Sequence, residues 1–399
     1  MMKEKKIIVG VTGGIAAYKA AELVRLLIKE GHSVCVAMTA NATKFVSPLT
    51  FEALSGNRVV CDMFDPLTEP IGHIKWGQES DLLIIAPATA NFIAKMAHGI
   101  ADDFLSTLVL ASTAKILICP AMNTQMYLNP VTQENIRLLS ERGCTVMNPG
   151  EGELACHTEG PGRLPGPEEI AALARILLTN QDLAGVRILV TAGPTLEPID
   201  PVRYITNRSS GKMGYAVAVT AAIRGASVVL ISGPTSLAPP AGIEFVQVRT
   251  TEDMRQAVLA RAGQADVIIK AAAVSDYRPG ETSNRKIKKD EDTLTLNLIK
   301  NPDILAELGN SKAAGHFILV GFAAETEDLL NNAREKLRKK NLDLIVANDV
   351  TRKDAGFETD TNLVKIIDRD GRVEDLPLMS KDALADQLLD RIIILRKNG

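Results

Sequence analysis

The 399-residue sequence predicts an α/β protein built from two doubly wound, mainly parallel-sheet domains. Short apolar, β-branched runs alternate with segments of helical period, the pattern of βαβ units whose strands are buried on both faces. The strand-then-glycine opening "KIIVGVTGG" (6–14) is repeated in kind by "VRILVTAGPT" (186–195), so the chain starts a second time. The length also exceeds what one ordinary core fills. The division is placed after residue 184, giving domains 1–184 and 185–399.

In the first domain "KIIVGV" (6–11) is a strand, and the following helix, apolar at helical spacing, ends at Gly31. "SVCVAMT" (33–39), "RVVCDMF" (58–64), "DLLIIAPAT" (81–89) and "KILICPAM" (115–122) read as further buried strands. Helices are expected at about 91–112 and 129–142, and residues 166–184 turn from helical to loose. In the second domain "GKMGYAVAVTAAIRGASVVLISG" (211–233) gives a helix and a strand. "DVIIKAAAVSDY", "HFILVGFAAET" and "LDLIVANDV" give three more strands. Residues 357–378 predict a hairpin around an Asp-Gly turn, and 381–396 a closing amphipathic helix. The polar stretch 279–293 predicts a mobile loop or lid.

A formal net charge of −3 gives no electrostatic reason to expect nucleic acid or a membrane as partner. No apolar run is long enough to span a bilayer, and the start reads as no export signal, so a cytoplasmic protein is expected. Cys35, Cys61 and Cys119 sit in apolar runs as small hydrophobes, and the five cysteines form neither a zinc spacing nor a disulfide framework.

Ligands of parallel sheets sit beyond the carboxyl ends of the strands. Here those ends carry "GVTGGIAA", "AMTANAT", "APATANF" and "CPAMN". "TGG" alone is as consistent with a tight turn as with a binding loop. The dinucleotide fingerprint G-x-G-x-x-G is absent, and strand two ends without an acid for a ribose, which argues against a nicotinamide oxidoreductase. The hydroxyl and amide residues suit one phosphate and a polar ring edge, as in a mononucleotide.

"PATANF" (87–92) and "PAMNTQMY" (120–127) resemble the two signatures of the flavin-containing cysteine decarboxylases, which bind FMN on a flavodoxin-like sheet. "GHIKWGQ" (72–78) places His73 where that family has its active-site histidine. The second half, with "AGPTLEPIDPVRYITNRSSGKMG", "AAAVSDYRP", "KIKK", "NPDIL" and "GFAAET", resembles the Rossmann-like phosphopantothenate–cysteine ligases. Together they resemble the bacterial bifunctional decarboxylase/ligase family of coenzyme A biosynthesis. Thr89 stands where the family has Ser, and Tyr127 where it has Trp.

The resemblance implies Gly13, Gly14, Ile15, Thr39, Thr89, Asn91 and Ser106 at the flavin. It makes His73 a base or orienting group in thiol oxidation, and sets Asn123 on the departing carboxylate. Read from the residues alone, His73 also suits a cap or core position and Asn123 a helix cap. The substrate so implied is an N-acylated cysteine, whose direct decarboxylation would leave a carbanion with no electron sink. Oxidising its thiol to a thioaldehyde supplies that sink, and loss of CO₂ then gives an enethiol that the returning hydride reduces.

For the ligase half the resemblance implies phosphopantothenate, cysteine and CTP as substrates, with an acyl-cytidylate intermediate and Mg2+ bound with CTP. Asp276, Lys286, Pro302, Asp303, Ile304, Leu305, Phe322, Lys336 and Lys340 are then CTP contacts, with Asp276 a possible metal ligand. Asn207, Arg203 and Lys286 would act in catalysis. "SSGKMG" (209–214) lacks Walker A spacing and reads equally as a glycine-rich helix start; the basic runs around Lys286 and Lys336 suit a solvated face as well. The family also implies homo-oligomers, flavin-domain trimers and ligase-domain dimers that a dodecamer satisfies. A regulatory flavin-binding module is the rival reading, and His73, Asn123, Cys156 and the fused second half favour the enzyme.

The loop "GELACHTEGPGRLP" (152–165) places Cys156 beside His157, but neighbours in an extended chain point to opposite sides. An ordinary thiol, protonated at neutral pH, is better suited to donating a proton than to attacking. The resemblance gives Cys156 that role, protonating the enethiol; His157 stands where the family has Gly.

Overall fold

The computed structural model describes residues 4–65, 71–153, 159–288, 294–312, 317–325, 328–349, 359 and 361–398. The chain forms two compact units, Met1–Asn180 and Gln181–Gly399. The division precedes the expected 184/185 boundary because Asp182 pairs with the buried Arg224 and Leu183 joins the second core.

The first unit runs β1 (Lys6–Val11), α1 (Ala17–Lys29), β2 (Ser33–Met38), α2 (Pro48–Ser55), α3 (Gly72–Glu79), β3 (Leu82–Ala88), α4 (Ala90–His98) and α5 (Phe104–Ala111). It continues with β4 (Lys115–Pro120), α6 (Thr124–Leu128), α7 (Pro130–Glu141), β5 (Thr145–Val146), β6 (Gly150–Glu153), β7 (Glu159–Arg163) and α8 (Pro167–Leu178). Its sheet is parallel, in the order β2-β1-β3-β4-β5. Alternation along each strand makes two cores. Ile7, Val9, Leu82 and Ile84 face one layer of helices, while Ile8, Leu83 and Ile85 face the other.

Two expectations are corrected. The strand over 58–64 does not form: Val60 makes a single bridge to Ala37, and the chain then turns at Asp62, whose carboxylate accepts from Phe64 N. The helix over 91–112 is two helices, because Gly99 closes α4 in the left-handed region and Asp103 opens α5 with a capping box.

The second unit opens with β8 (Arg187–Ala192), β9 (Leu196–Pro198), β10 (Tyr204–Thr206), α9 (Lys212–Ile223), β11 (Ser227–Ser232), β12 (Glu244–Gln247), α10 (Thr251–Ala262) and β13 (Val267–Lys270). It proceeds through β14 (Tyr277–Pro279), β15 (Leu298–Lys300), α11 (Ile304–Ser311), β16 (Ile318–Glu325), α12 (Leu329–Lys339) and β17 (Leu344–Asp349). β18 (Thr361–Asn362), β19 (Val364–Asp368), β20 (Val373–Asp375), β21 (Met379–Ser380) and α13 (Lys381–Asn398) complete it. Its sheet has the order β12-β11-β8-β13-β16-β17-β19-β20, parallel as far as β17 and antiparallel beyond. β19 and β20 form the expected hairpin around Asp370-Gly371. Val267 and Ile269 pack towards α9 and α13, and Ile268 towards α10, α11 and α12.

The described part of the expected lid is held down. Ser283 N donates to Ile199 O (3.0 Å) and Ile287 N to the buried Asp200 Oδ2 (3.2 Å). Residues 289–293 lie outside the described residues.

Candidate functional sites

The strand ends of the first unit enclose a cleft of about 680 Å³. Its walls are Thr12–Ala16 after β1, Thr39–Asn41 after β2, Thr89–Phe92 after β3, Ala121–Asn123 after β4 and Gly162–Leu164 at the end of β7. Thr12 Oγ1 donates to Pro87 O (2.7 Å) and accepts from Thr89 N (3.1 Å), fixing the first loop against the third. A Cβ at Gly13 would stand 2.4 Å from Asn41 Cβ and 2.9 Å from the Asn41 carbonyl carbon, so only glycine allows this approach. No side chain caps α1; Ala17 N and Lys19 N donate instead to Gly14 O (2.9 Å) and Ala16 O (3.0 Å), and the N-terminal turn stands at the cleft wall. Thr89 and Asn123 cap α4 and α6, accepting from Phe92 N (3.4 Å) and Gln125 N (2.8 Å).

Gly13, Gly14, Ile15, Thr39, Thr89, Asn91 and Asn123 therefore meet at one cleft. Ser106 does not line it: its hydroxyl is buried in the capping box, accepting from Asp103 N at 3.0 Å. His73 does not line it either; its half-buried ring stands edge-on to Phe104, centroids 6.4 Å apart, where α3 packs on α5. Cys156 and His157 lie outside the described residues, although β6 and β7 of their loop pair as a hairpin. Tyr127 is half-buried away from the cleft wall. Asn41, Asp103, Met126 and Arg163 line the cleft without having been singled out in the sequence. Cys35, Cys61, Cys119 and Cys144 are unpaired, and burial pushes each thiol up, well away from nucleophilic use.

In the second unit a cleft of about 480 Å³ opens along β16 and beyond the end of β13. Asn207–Gly214, Lys270–Asp276, Lys300–Leu305, Phe322, Lys336 and Lys340 line it. Asp303 caps α11, accepting from Ala306 N (3.0 Å), and pairs with Lys340 at 2.9 Å. Burial pushes its carboxyl up, but those bonds prevail and hold it below the usual carboxylate range.

A buried polar hub sets the loops. Glu197 Oε1 accepts from Thr251 N (2.9 Å) and Oγ1 (2.6 Å), Thr195 Oγ1 accepts from Ser275 N (3.0 Å), and Asn301 Nδ2 donates to Ser275 O (2.9 Å). Asn207 Nδ2 donates to Val274 O at 3.0 Å.

Asn207, Asp276, Pro302, Asp303, Ile304, Leu305, Phe322, Lys336 and Lys340 thus share this cleft. Arg203 and Lys286 do not line it. The Arg203 guanidinium turns to Asp200 (3.6 Å) and Ile287 O (3.3 Å), and Lys286 is exposed on the segment that the same aspartate holds. Sequence reading missed Asn301 and Lys270, of which Lys270 resembles the polar end of an ordinary apolar strand. Among the described residues no group of three or more His, Cys, Asp or Glu side chains is placed to hold a metal ion. Among the same residues no helix is long and apolar enough to cross a membrane.

Residues 1–178 match the family model described as Flavoprotein, and residues 183–395 the one described as DNA/pantothenate metabolism flavoprotein C-terminal domain. The chain is 48% identical over 402 residues to the coenzyme A biosynthesis bifunctional protein CoaBC of Bacillus subtilis, covering 100% of this chain and 98% of that one. The protein of the same name from Escherichia coli K12 is 47% identical over 395 residues, 98% of this chain and 97% of that one. A crystal structure of the C-terminal domain of a CoaBC protein is 43% identical, with a TM-score of 0.48 over 55% of this chain and 100% of that one. With both halves matched in order and relatives aligned end to end, the chain belongs to the family of coenzyme A biosynthesis bifunctional proteins.

Proposed function

We propose that the second unit joins cysteine to 4'-phosphopantothenate at the expense of CTP, and that the first unit decarboxylates the product to 4'-phosphopantetheine. The observation that carries this reading is one cleft per unit at the carboxyl ends of its strands, with contrasting linings. The first offers hydroxyl and amide groups with Lys19, Lys95 and Arg163 beside them; the second gathers six lysines, among them Lys270, Lys336 and Lys340.

The first cleft fits FMN: Gly13 lets the loop after β1 close on Asn41, and the N-terminal turn of α1 at the cleft wall suits a single phosphate. When bound, FMN takes up and returns a hydride, so that the substrate passes through thioaldehyde and enethiol with no net oxidation. Thr89 and Asn91 orient the ring edge, Asn123 holds the carboxylate that departs as CO₂, and Cys156 gives the enethiol its proton. Trimers of the first unit would bring the flavin near a subunit interface, where His73, which does not line its own cleft, can serve that of a second copy.

In the second cleft the phosphopantothenate carboxylate attacks the α-phosphorus of CTP, an acyl–phosphate bond forms and pyrophosphate leaves. The cysteine amine then attacks the acyl carbon and CMP departs. Lys336, Lys340 and the α9 N-terminus bind the phosphates, while Asn207 steadies the acyl-cytidylate. Asp303 is engaged by Lys340, which leaves Asp276 as the cleft's accessible carboxylate. That donor set fits a Mg2+ ion delivered on the nucleotide, with Asp276 its protein contact. Dimers of this unit and trimers of the first would assemble as a dodecamer, in the cytoplasm.

The test supplies flavin-loaded protein with phosphopantothenate, cysteine, CTP and Mg2+, and follows pyrophosphate and phosphopantetheine. Both should appear. Phosphopantothenoylcysteine alone would refute the decarboxylase assignment, and far better turnover with ATP would refute the nucleotide.

A further inference from the structure

Lys270 ends β13, in the interior of the second sheet. Strand alternation carries its side chain to the same face as Ile268, where α10, α11 and α12 pack. It is 6% exposed, yet it lines the cleft. Among the described residues its Nζ meets the Met254 sulfur of α10 at 3.7 Å, a weak acceptor for an ammonium. Its sheet neighbours, Thr191 on β8 and Gly321 on β16, carry no charge. Among the described residues the charged groups that act on it are Asp303 at the head of α11 and Lys340 at the end of α12, and these two are paired with each other.

An ammonium buried without a dedicated carboxylate is costly. Burial pulls Lys270 down to about 7, with Asp303 opposing and Lys340 reinforcing the shift. An apolar side chain would fill this place without that cost. The expense is recovered if an anion enters the cleft, since the attraction between opposite charges is strong where water is excluded.

We propose that Lys270 is a further binding residue of the nucleotide site, accepting a proton as the triphosphate enters and releasing it as the phosphates leave. This rests on the reading of the second cleft as a nucleotide site. Lys336 and Lys340 add positive charge to the same cleft, whereas Lys270 makes binding itself proton-linked. A lysine is suited to this because its compact ammonium titrates readily when buried, unlike a guanidinium.

The test is calorimetric titration of the full-length, flavin-loaded protein with Mg·CTP near pH 8, in two buffers of different ionisation enthalpy. A group titrating near 7 is then about nine-tenths neutral in the empty site, so binding should take up about 0.9 proton. From pH 7 to pH 9 the Kd should rise about fiftyfold, approaching about tenfold per pH unit above pH 8. The variant K270M should take up no such proton, lose that slope, and bind about ten- to hundredfold more weakly at pH 6.5. K270R, charged throughout, should also lose the slope, and it carries the comparison if thermal melting shows K270M unfolded. Wild-type binding without proton uptake, or uptake undiminished in the variants, overturns the inference. Failure of the wild type to bind CTP at all overturns the nucleotide reading, and this inference with it.

Discussion

Replacing Gly309 by alanine tests how the second unit holds its lysines in place. Gly309 lies in α11, where that helix meets the end of α12 so closely that an added Cβ would stand 1.9 Å from Lys340 O and 2.7 Å from its carbonyl carbon. An ordinary contact begins at 3.4 Å, so the two segments must separate by about 1.5 Å. The obstacle is backbone, which has no rotamer by which to yield. The same contact is tied by Asn341 Nδ2 donating to Gly309 O (3.1 Å) and, at the head of α11, by Lys340 on Asp303 (2.9 Å). Overpacking of this kind costs about 1–3 kcal/mol. In a unit of this size each kcal/mol lowers Tm by roughly 2–4 °C, so a fall of roughly 2–12 °C is expected. Moving a positioning group by about 1 Å can lower turnover ~100-fold. The assay is ligation rate against CTP concentration, with decarboxylation of phosphopantothenoylcysteine by the same sample as control. Gly309 and Lys340 both belong to the unit Gln181–Gly399, so ligation should fall while decarboxylation persists. A G309A protein with wild-type Tm and an unchanged CTP dependence would refute the reasoning.

Three further outcomes follow from the geometry. Asn123→Ala removes the cap on Gln125 N at a cost of about 1 kcal/mol, whereas Asn123→Ser keeps a capping oxygen; both should lose decarboxylation, and full turnover by the serine variant would exclude a carboxylate-holding amide. Asp303 has a depressed folded pKa, so its stabilisation is present above the unfolded value of about 3.9 and is lost as pH falls through the folded one. Urea unfolding at stepped pH should therefore show a flatter acid limb in Asp303→Asn, and identical limbs would contradict the assignment. Cys156→Ser should still release CO₂ but accumulate the enethiol, and normal phosphopantetheine formation by that variant would remove the thiol from the proton-donating role.

The fold was legible wherever an element carries its own periodicity. Each long parallel strand presents alternate residues to two helix layers, and the amphipathic helices between them show the matching stripe. Elements defined only by a partner were not legible. β5, β9, β10, β14 and β15 are two or three residues long and owe their form to the strand opposite. "RVVCDMF" failed in the opposite sense: its composition is that of a strand, but an aspartate turn ends its pairing after one bridge. The break in the helix over 91–112 was readable in "HGIADD", where a glycine stop is followed by an aspartate start.

The sites divide along a similar line. Residues in loops that directly follow parallel strands reach a cleft, because the sheet brings all those strand ends to one edge. Gly13, Thr39, Thr89 and Asn123 do so in the first unit, and Asp276 in the second. Residues one turn further along are steered by local bonds that a motif does not display: Ser106 by its own cap, Arg203 by Asp200, His73 by Phe104. Lys270 is the converse case, because the alternation that makes "DVIIK" a buried strand also buries its last residue. At a strand's carboxyl end the next layer inward is the ligand cleft, so a charge forced inside there has somewhere to act. A lysine closing an apolar strand is therefore ambiguous in sequence between a surface anchor and a site residue, and the loops folded over the strand's end decide which it becomes.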